Sequence, residues 1–423
     1  MKTWDVIVVG GGAAGLMAGG QAAACGADVL ILEKMKRPAR KLCITGKGRC
    51  NLTNNAELRD FIGHFGPRGR FLHQAFNRFF SAELISFFND KGLQLTHERG
   101  GRVFPVDGKA VAILETFEKW LNQMGVRLDC GVRVDKILAD TSGVKGVRGS
   151  GQVYHCKKLI LTTGGSSYPR TGSTGDGYRF AGQLGHTITP IRPALVPLLT
   201  DLGLCRDLAG LELRNIDVGL LVDGKKKGKW FGEIAFFENR LAGPVVLTLS
   251  GQVVELLRDG RQVELALDLK PALDEKKLDA RLLRDFQKRH RETLESVLGG
   301  LLPAKLIPVC LKETELNADQ QAGTIRSKQR RRLRLWLKDF KIPIPGHRPM
   351  AEAIVTAGGV DLSEVNPKTM ESKLVDGLHL AGEILDLHGD TGGYNLQAAF
   401  STGWLAGQCA AQDHDRGDLS SSP

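Results

Sequence analysis

The stretch Asp5-Val6-Ile7-Val8-Val9-Gly10-Gly11-Gly12-Ala13-Ala14-Gly15, with Glu33 18 positions further on, decides the fold. Asp5 to Val9 is a short apolar, β-branched run and reads as a fully buried strand. Gly10 to Gly15 fits G-x-G-x-x-G, Ala13 to Ala24 is Ala-rich and reads as a helix, and Val29 to Leu32 is a second buried strand ending at Glu33. Strand, turn, helix and strand in this order make a βαβ unit. Gly10 permits the tight turn, Gly12 lets a pyrophosphate approach the backbone, and Gly15 lets helix and strand pack closely. The free amides and positive dipole end of the helix, from Ala13 and Ala14 on, hold a diphosphate. A carboxylate at Glu33 accepts from a ribose 2′-hydroxyl and repels a 2′-phosphate, which points to FAD or NAD and away from NADP as the bound nucleotide.

Composition sets the outer limits. A chain of 423 residues exceeds one ordinary core, so two or three domains are expected. No run of 18 apolar residues is free of Gly and charge, which argues against a transmembrane helix. The N-terminus enters its first strand directly, which argues against a signal peptide. The Cys residues at 25, 43, 50, 130, 156, 205, 310 and 409 form no C-x-x-C, which argues against zinc, a dithiol centre or a disulfide framework and makes the cytoplasm the expected compartment. Lys and Arg exceed Asp and Glu by 58 to 47, a net charge of +11, with basic runs at 34–41, 225–229 and 326–341. Such runs are either solvated faces or a footing for a polyanion such as RNA.

Both ends of the chain have α/β character and the middle does not. Residues 38–54 read as a polar, Gly-rich loop leaving the second strand, and 71–91 and 110–124 have helical spacing with a hairpin at 99–104 between them. Val132 to Leu138 and Tyr154 to Thr163 return to strand character. Leu195–Thr200, Leu211–Val222, Ile234–Phe237 and Val245–Leu249 suggest antiparallel strands, and 272–340 reads as charged helices in which Leu278, Leu282 and Phe286 lie one turn apart. The expected architecture is α/β: a discontinuous Rossmann-like FAD-binding domain (1–190 plus 345–410), an inserted antiparallel β domain (191–271), an inserted small helical domain (272–344) and a tail (411–423).

Two distant stretches decide between FAD and NAD. Thr162-Thr163-Gly164-Gly165 ends one strand; Ala381-Gly382-Glu383 ends another, and Gly389-Asp390-Thr391-Gly392-Gly393-Tyr394-Asn395 opens a helix. This order resembles the two-dinucleotide-binding-domain flavoproteins, which implies that Glu383 bonds the ribityl or pyrophosphate and that amides of Gly392 to Asn395 face the flavin. A helix N-terminus there stabilises the charge of the reduced ring. More narrowly, three sets of motifs resemble the bacterial BaiN-like (YhiN-like) FAD-binding flavoproteins: Lys41-Leu42-Cys43-Ile44-Thr45-Gly46 with Gly48-Arg49-Cys50-Asn51-Leu52-Thr53-Asn54; Gly164 to Pro169 with Thr171 to Gly177; and Thr356 to Val360 with Gly389 to Gln397. One departure is Phe237-Glu238-Asn239-Arg240-Leu241-Ala242-Gly243-Pro244, where the family usually has F-T-H-x-G-(I/L)-S-G-P.

The resemblance implies FAD and an oxidoreductase. Fingerprint and resemblance together place Gly10, Gly12, Ala13, Ala14, Gly15, Glu33, Lys34, Lys41, Thr45, Gly46, Gly48, Arg49, Cys50, Asn51, Val134, Thr163, Gly164, Gly165, Gly382, Glu383, Gly392, Gly393, Tyr394 and Asn395 at the cofactor, with no metal site. Gly143, Gly146 and Gly149 have the wrong spacing for a second fingerprint, so NAD(P)H, if used, is a transient donor. Reduction of a C=C conjugated to a carbonyl also needs a proton donor, and Cys50, Tyr168 and His388 are the candidates, each set against a bland role as packed thiol, packing aromatic and loop-tip residue. Three functions stand open at this point: NAD(P)H-dependent reduction of an enone-like C=C, with uridine of ribosomal RNA as the favoured acceptor; a small-molecule oxidase or reductase; and a non-catalytic flavin-bearing RNA-binding protein.

Overall fold

The computed structural model describes residues 2–412. The chain divides into two compact units, one made of the segment up to Pro193 with the segment from Ile354 on, the other Ala194–Ala353. The tail expected from 411 lies almost wholly outside the described residues.

In the first unit, β1 (Thr3–Val9), α1 (Ala13–Ala24) and β2 (Val29–Glu33) form the βαβ unit. β1 is the middle of a parallel array, Val8 pairing with Ile31 of β2 on one side and with Ile160 of the strand Gln152–Leu161 on the other. Arg127–Cys130 extends the array beyond β2, and Leu378–Leu380 adds to the last part of Gln152–Leu161. An antiparallel meander, Val134–Asp140 and Gly143–Gly149, feeds into the first part of that strand. Continuous burial of Val6–Val9 and Leu30–Leu32 reflects cover on both faces of the sheet. The C-terminal helix Tyr394–Ala411 packs on α1 so closely that a Cβ at Gly403 or Gly407 would meet the Ala14 or Ala18 carbonyl at 2.3 and 2.2 Å.

Local departures from expectation have visible causes. The 38–54 stretch contains a short helix, Arg40–Ile44, a 3-10 turn, Thr45–Gly48, and a two-residue strand, Thr53–Asn54, which pairs with Arg102–Pro105. The helical stretch 71–91 breaks at Phe79 and Phe80, between His73–Arg78 and Ser81–Asp90.

In the second unit, a seven-stranded sheet holds Glu212–Val222 between Lys225–Phe237 and Val263–Asp268. Val245–Leu249, expected as a strand, belongs to the helix Pro244–Arg258. Pro244 suits a first helical turn, and Val245, Val246, Leu249, Val253 and Val254 fall on one buried face at helical spacing, which outweighs the β-branched bias. The helices after 272 do not make a compact unit of their own: Leu278, Leu282 and Phe286 share one apolar cluster with Val218, Leu220 and Leu265 of the sheet.

Candidate active site

Three glycines of the fingerprint do three jobs. Gly10 has φ of 109°, and a Cβ there would lie 2.6 Å from the Thr162 carbonyl oxygen. A Cβ at Gly15 would fall 1.8 Å from the Gly10 carbonyl oxygen and 2.7 Å from Thr162 Oγ1, so this position seals helix against sheet. At Gly12, by contrast, an added Cβ meets nothing within 4 Å. Gly12 caps α1 without a side-chain hydrogen bond, and the first turn holds no acid, so the amides from Ala13 on have no side-chain cap and carry the helix's positive end.

Glu33 is brought to the same turn. Its Oε2 accepts from the Gly11 amide at 2.7 Å and its Oε1 from the Met35 amide at 2.7 Å. Beside it, Lys34 Nζ donates to Thr174 Oγ1 at 2.6 Å and to Asp176 Oδ2 at 2.7 Å. Burial pushes the Asp176 carboxyl up, but the hydrogen bond and charge of Lys34, with Thr174 and Arg133, outweigh it and hold the group below the usual carboxylate range. Val134 is buried at the start of its strand, opposite Gly149.

A second cluster joins four separate parts of the chain. Lys41 Nζ lies 2.6 Å from both Glu383 Oε2 and Ser167 Oγ. Glu383 Oε1 accepts from the Thr356 amide at 2.8 Å and from Ser167 Oγ at 3.0 Å, while Thr356 Oγ1 accepts from the amides of Ser166 and Ser167. Gly382 has φ of 78°, and its missing Cβ would touch the Ala14 Cβ at 2.8 Å, so the Glu383 cluster stands beside the opening turn of α1. The cluster closes over Gly165, where a Cβ would lie 2.3 Å from Thr356 Oγ1. Gly164 takes φ of 71° next to Ser173, and Thr163 turns its buried Oγ1 toward Gly177.

The C-terminal helix opens at Gly393, again with no capping side chain. Gly392 and Gly393 have φ of 133° and 101°, and Asn54 Nδ2 holds the Gly392 carbonyl at 3.1 Å. The Asn395 side chain is taken up by its own loop: Nδ2 donates to the Gly389 and Asp390 carbonyls, and Oδ1 accepts from the Gly389 amide. Tyr394 stacks on His64 with ring centroids 3.9 Å apart, and His64 Nδ1 lies 2.8 Å from Asp390 Oδ2.

The residues of 45–51 mainly shape their loop. Thr45 Oγ1 donates to the Leu42 carbonyl at 2.7 Å, and Gly46 and Gly48 both take positive φ. Arg49 pairs with Glu98 and lies 4.3 Å from the centroid of the Phe104 ring, and Asn51 Oδ1 accepts from the Val103 amide, so both tie the loop to the 95–105 hairpin. Cys50, a candidate proton donor, is fully enclosed in the apolar core, and burial pushes its thiol up to about 12. That removes it as a donor to a substrate: the thiol is a weak acid with no solvent-facing surface. Tyr168 and His388 are half-buried on separate loops, Tyr168 in a left-handed conformation with φ of 50°.

Ser167, Thr356, Asn54, His64 and Asp176 were not singled out by sequence reasoning. Ser167, Asn54, Asp176 and Thr356 sit inside the quoted motifs, where the signal lay; His64 carries none. The basic run at 326–341 is largely neutralised within the fold: Arg330 and Arg334 face Asp279, Arg332 faces Glu315, and Lys338 lies 2.5 Å from Asp268.

Two uncapped helix starts, an acid at the end of β2 and an open side at Gly12 define a dinucleotide-binding protein whose donor set fits FAD, a diphosphate with a ribose at one end and a flavin at the other. The chain belongs to the HI0933-like protein Rossmann domain family, which it matches over residues 4–409. It is 33% identical to the 3-dehydro-bile acid delta(4,6)-reductase of Clostridium scindens, over 96% of this chain and 98% of that protein. It is 29% identical to the ribosomal RNA dihydrouridine synthase of Escherichia coli, over 96% and 98%. Among solved structures it is similar to the 3-ketosteroid-delta4-(5alpha)-dehydrogenase of Rhodococcus jostii RHA1, with a TM-score of 0.53, 18% identity and 97% of each chain covered. The fold is thus that of an FAD-dependent oxidoreductase. Among the described residues no helix is long and apolar enough to cross a membrane, and no cluster of His, Cys, Asp and Glu could hold a metal ion.

Proposed function

We propose that this protein is an FAD-dependent, NAD(P)H-driven reductase of a C=C conjugated to a carbonyl, and that its acceptor is a uridine of ribosomal RNA, which would place it in the cytoplasm. One observation carries the reading: two relatives matched over nearly their whole length bear names for different substrates but one chemistry, reduction of a conjugated double bond. The bound cofactor would supply the hydride. The chain's own residues do the rest. The amides from Ala13 on hold the diphosphate, Glu33 the adenosine ribose, and the Lys41, Ser167 and Glu383 cluster the segment beside the diphosphate. The amides at the start of Tyr394–Ala411 stabilise negative charge at the flavin's pyrimidine edge. Hydride adds at the β-carbon of the acceptor and a proton at its α-carbon; Tyr168 and His388 are the proposed sources of that proton.

The test is the ribosomal RNA of a deletion strain. Loss of a dihydrouridine, restored by the wild-type gene, supports the assignment, and an unchanged modification profile overturns it. The 33% identity to a bile-acid reductase favours a second reading, a steroid-like enone as substrate. Turnover of such an enone by protein that leaves ribosomal RNA unmodified would select it.

A further inference from the structure

We infer that the outer face of the strand Lys225–Phe237, in the second unit, is a docking face for single-stranded RNA. The inference rests on the reading that the substrate is RNA, and locates where that partner is held. In this strand, register fixes which side chains face out. Gly228, Trp230 and Gly232 pair with Leu220, Val218 and Ile216, whose side chains are buried, so Trp230 turns toward the core. Lys229 and Phe231 therefore turn outward, and Lys226 lies on the same side, its stem within 3.8 Å of where a Gly219 Cβ would be. Phe231 is 63% exposed and Phe237 43%, and the Arg240 guanidinium lies 4.9 Å from the centroid of the Phe237 ring. The two rings stand on one outward face, roughly 20 Å apart along the strand, and each offers a surface on which a base can stack.

Charge selects the partner. Lys225, Lys226 and Lys227 are exposed at the hairpin tip and form no ion pair among the described residues, whereas Lys229 is paired with Asp217. The basic helix Ser327–Lys338 is the contrast: most of its cations are matched by carboxylates of its own unit. Free cations beside exposed aromatic rings are what a single strand needs, its phosphates on the lysines and its bases on the rings. Glu233 lies between the rings, and register puts Asp217 opposite Phe231 and Glu212 opposite Ala235 on the same face, so phosphates are repelled from the middle of the strand and left to the lysines at the tip.

Fluorescence anisotropy of a labelled 12-nucleotide oligouridine, titrated with holoprotein across a salt series, tests this. K225Q/K226Q/K227Q lowers the slope of log affinity against log salt by about 2, at ~0.7 per phosphate contact. Phe231→Ala weakens binding about tenfold and Phe231→Trp restores it. Lys328→Gln with Arg331→Gln leaves binding unchanged, and reduction of the flavin by NAD(P)H is the same in all. Wild-type protein that binds RNA with hairpin variants that bind equally well overturns the docking face and leaves the proposed function standing. Wild-type protein with no affinity for RNA overturns both. Hairpin variants that lose ribosomal subunits but keep oligouridine show that the face reads protein, which also overturns the inference.

Discussion

Gly12 and Gly15 lie three residues apart in one motif and should fail in opposite ways. Gly12 has an ordinary φ of −83° and open space where a side chain would go. Gly12→Val is therefore tolerated by the fold, and its branched side chain fills the approach to the α1 amides. Charge-assisted hydrogen bonds are worth ~1.5–3 kcal/mol each. Loss of two such amide contacts to the diphosphate costs about 3–6 kcal/mol, which is roughly 10²- to 10⁴-fold in FAD affinity. At Gly15 a Cβ would stand 1.8 Å from a backbone oxygen, which no rotamer can relieve, so Gly15→Ala pushes α1 off the sheet. Overpacking of this kind costs ~1–3 kcal/mol or more. The assay is titration of apoprotein with FAD, followed by flavin fluorescence, beside thermal unfolding of the same apoprotein. Gly12→Val should keep its apoprotein Tm and lose affinity, whereas Gly15→Ala should lose Tm even without FAD. A Gly12→Val protein that binds FAD like wild type would refute the placement of the diphosphate at this turn.

Other outcomes follow from the same geometry. Glu33→Gln sets an amide N–H against the Gly11 or Met35 amide and removes the charge, so apoprotein titration should show FAD affinity about tenfold or more lower. Cys50→Ala should lower Tm and leave kcat within about twofold; a loss of ~10²–10⁴, the size of a general-acid contribution, would restore the thiol as donor. The Asp176 carboxyl has a folded-state pKa below its ordinary value, so its stabilising effect is complete above that value and is lost as pH falls through the folded one. The Tm difference between wild type and Asp176→Asn should accordingly shrink on acidification, and a difference independent of pH would contradict the pairing with Lys34.

Much of the nucleotide cradle is legible in the sequence because its demands are local. A buried β-branched run, a glycine that must take positive φ at Gly10 and a small residue that must admit a helix at Gly15 each leave a mark within a few positions. The Lys41, Ser167, Thr356 and Glu383 cluster is legible only in part: each member lies in a motif and Lys41 and Glu383 stand out there, but no local spacing shows that four remote parts of the chain bond to one another. Asn395 sits in a motif expected to face the flavin, yet its side chain closes its own loop. Cys50 lay in a promising motif, but only three-dimensional packing reveals that its thiol is sealed. Val245–Leu249 misleads because its three β-branched residues read as a strand over five positions, whereas the apolar spacing over fifteen is that of a helix. The cations at 326–341 look like a polyanion site in sequence because their carboxylate partners, such as Asp279 and Glu315, lie elsewhere in the chain.

The most direct measurement is the identity of the nucleotide that the chain retains. Purified protein, incubated with FAD and freed of excess, should be yellow and release FAD in equimolar amount on denaturation. Protein that stays colourless under those conditions, or that retains NAD in its place, would contradict the assignment.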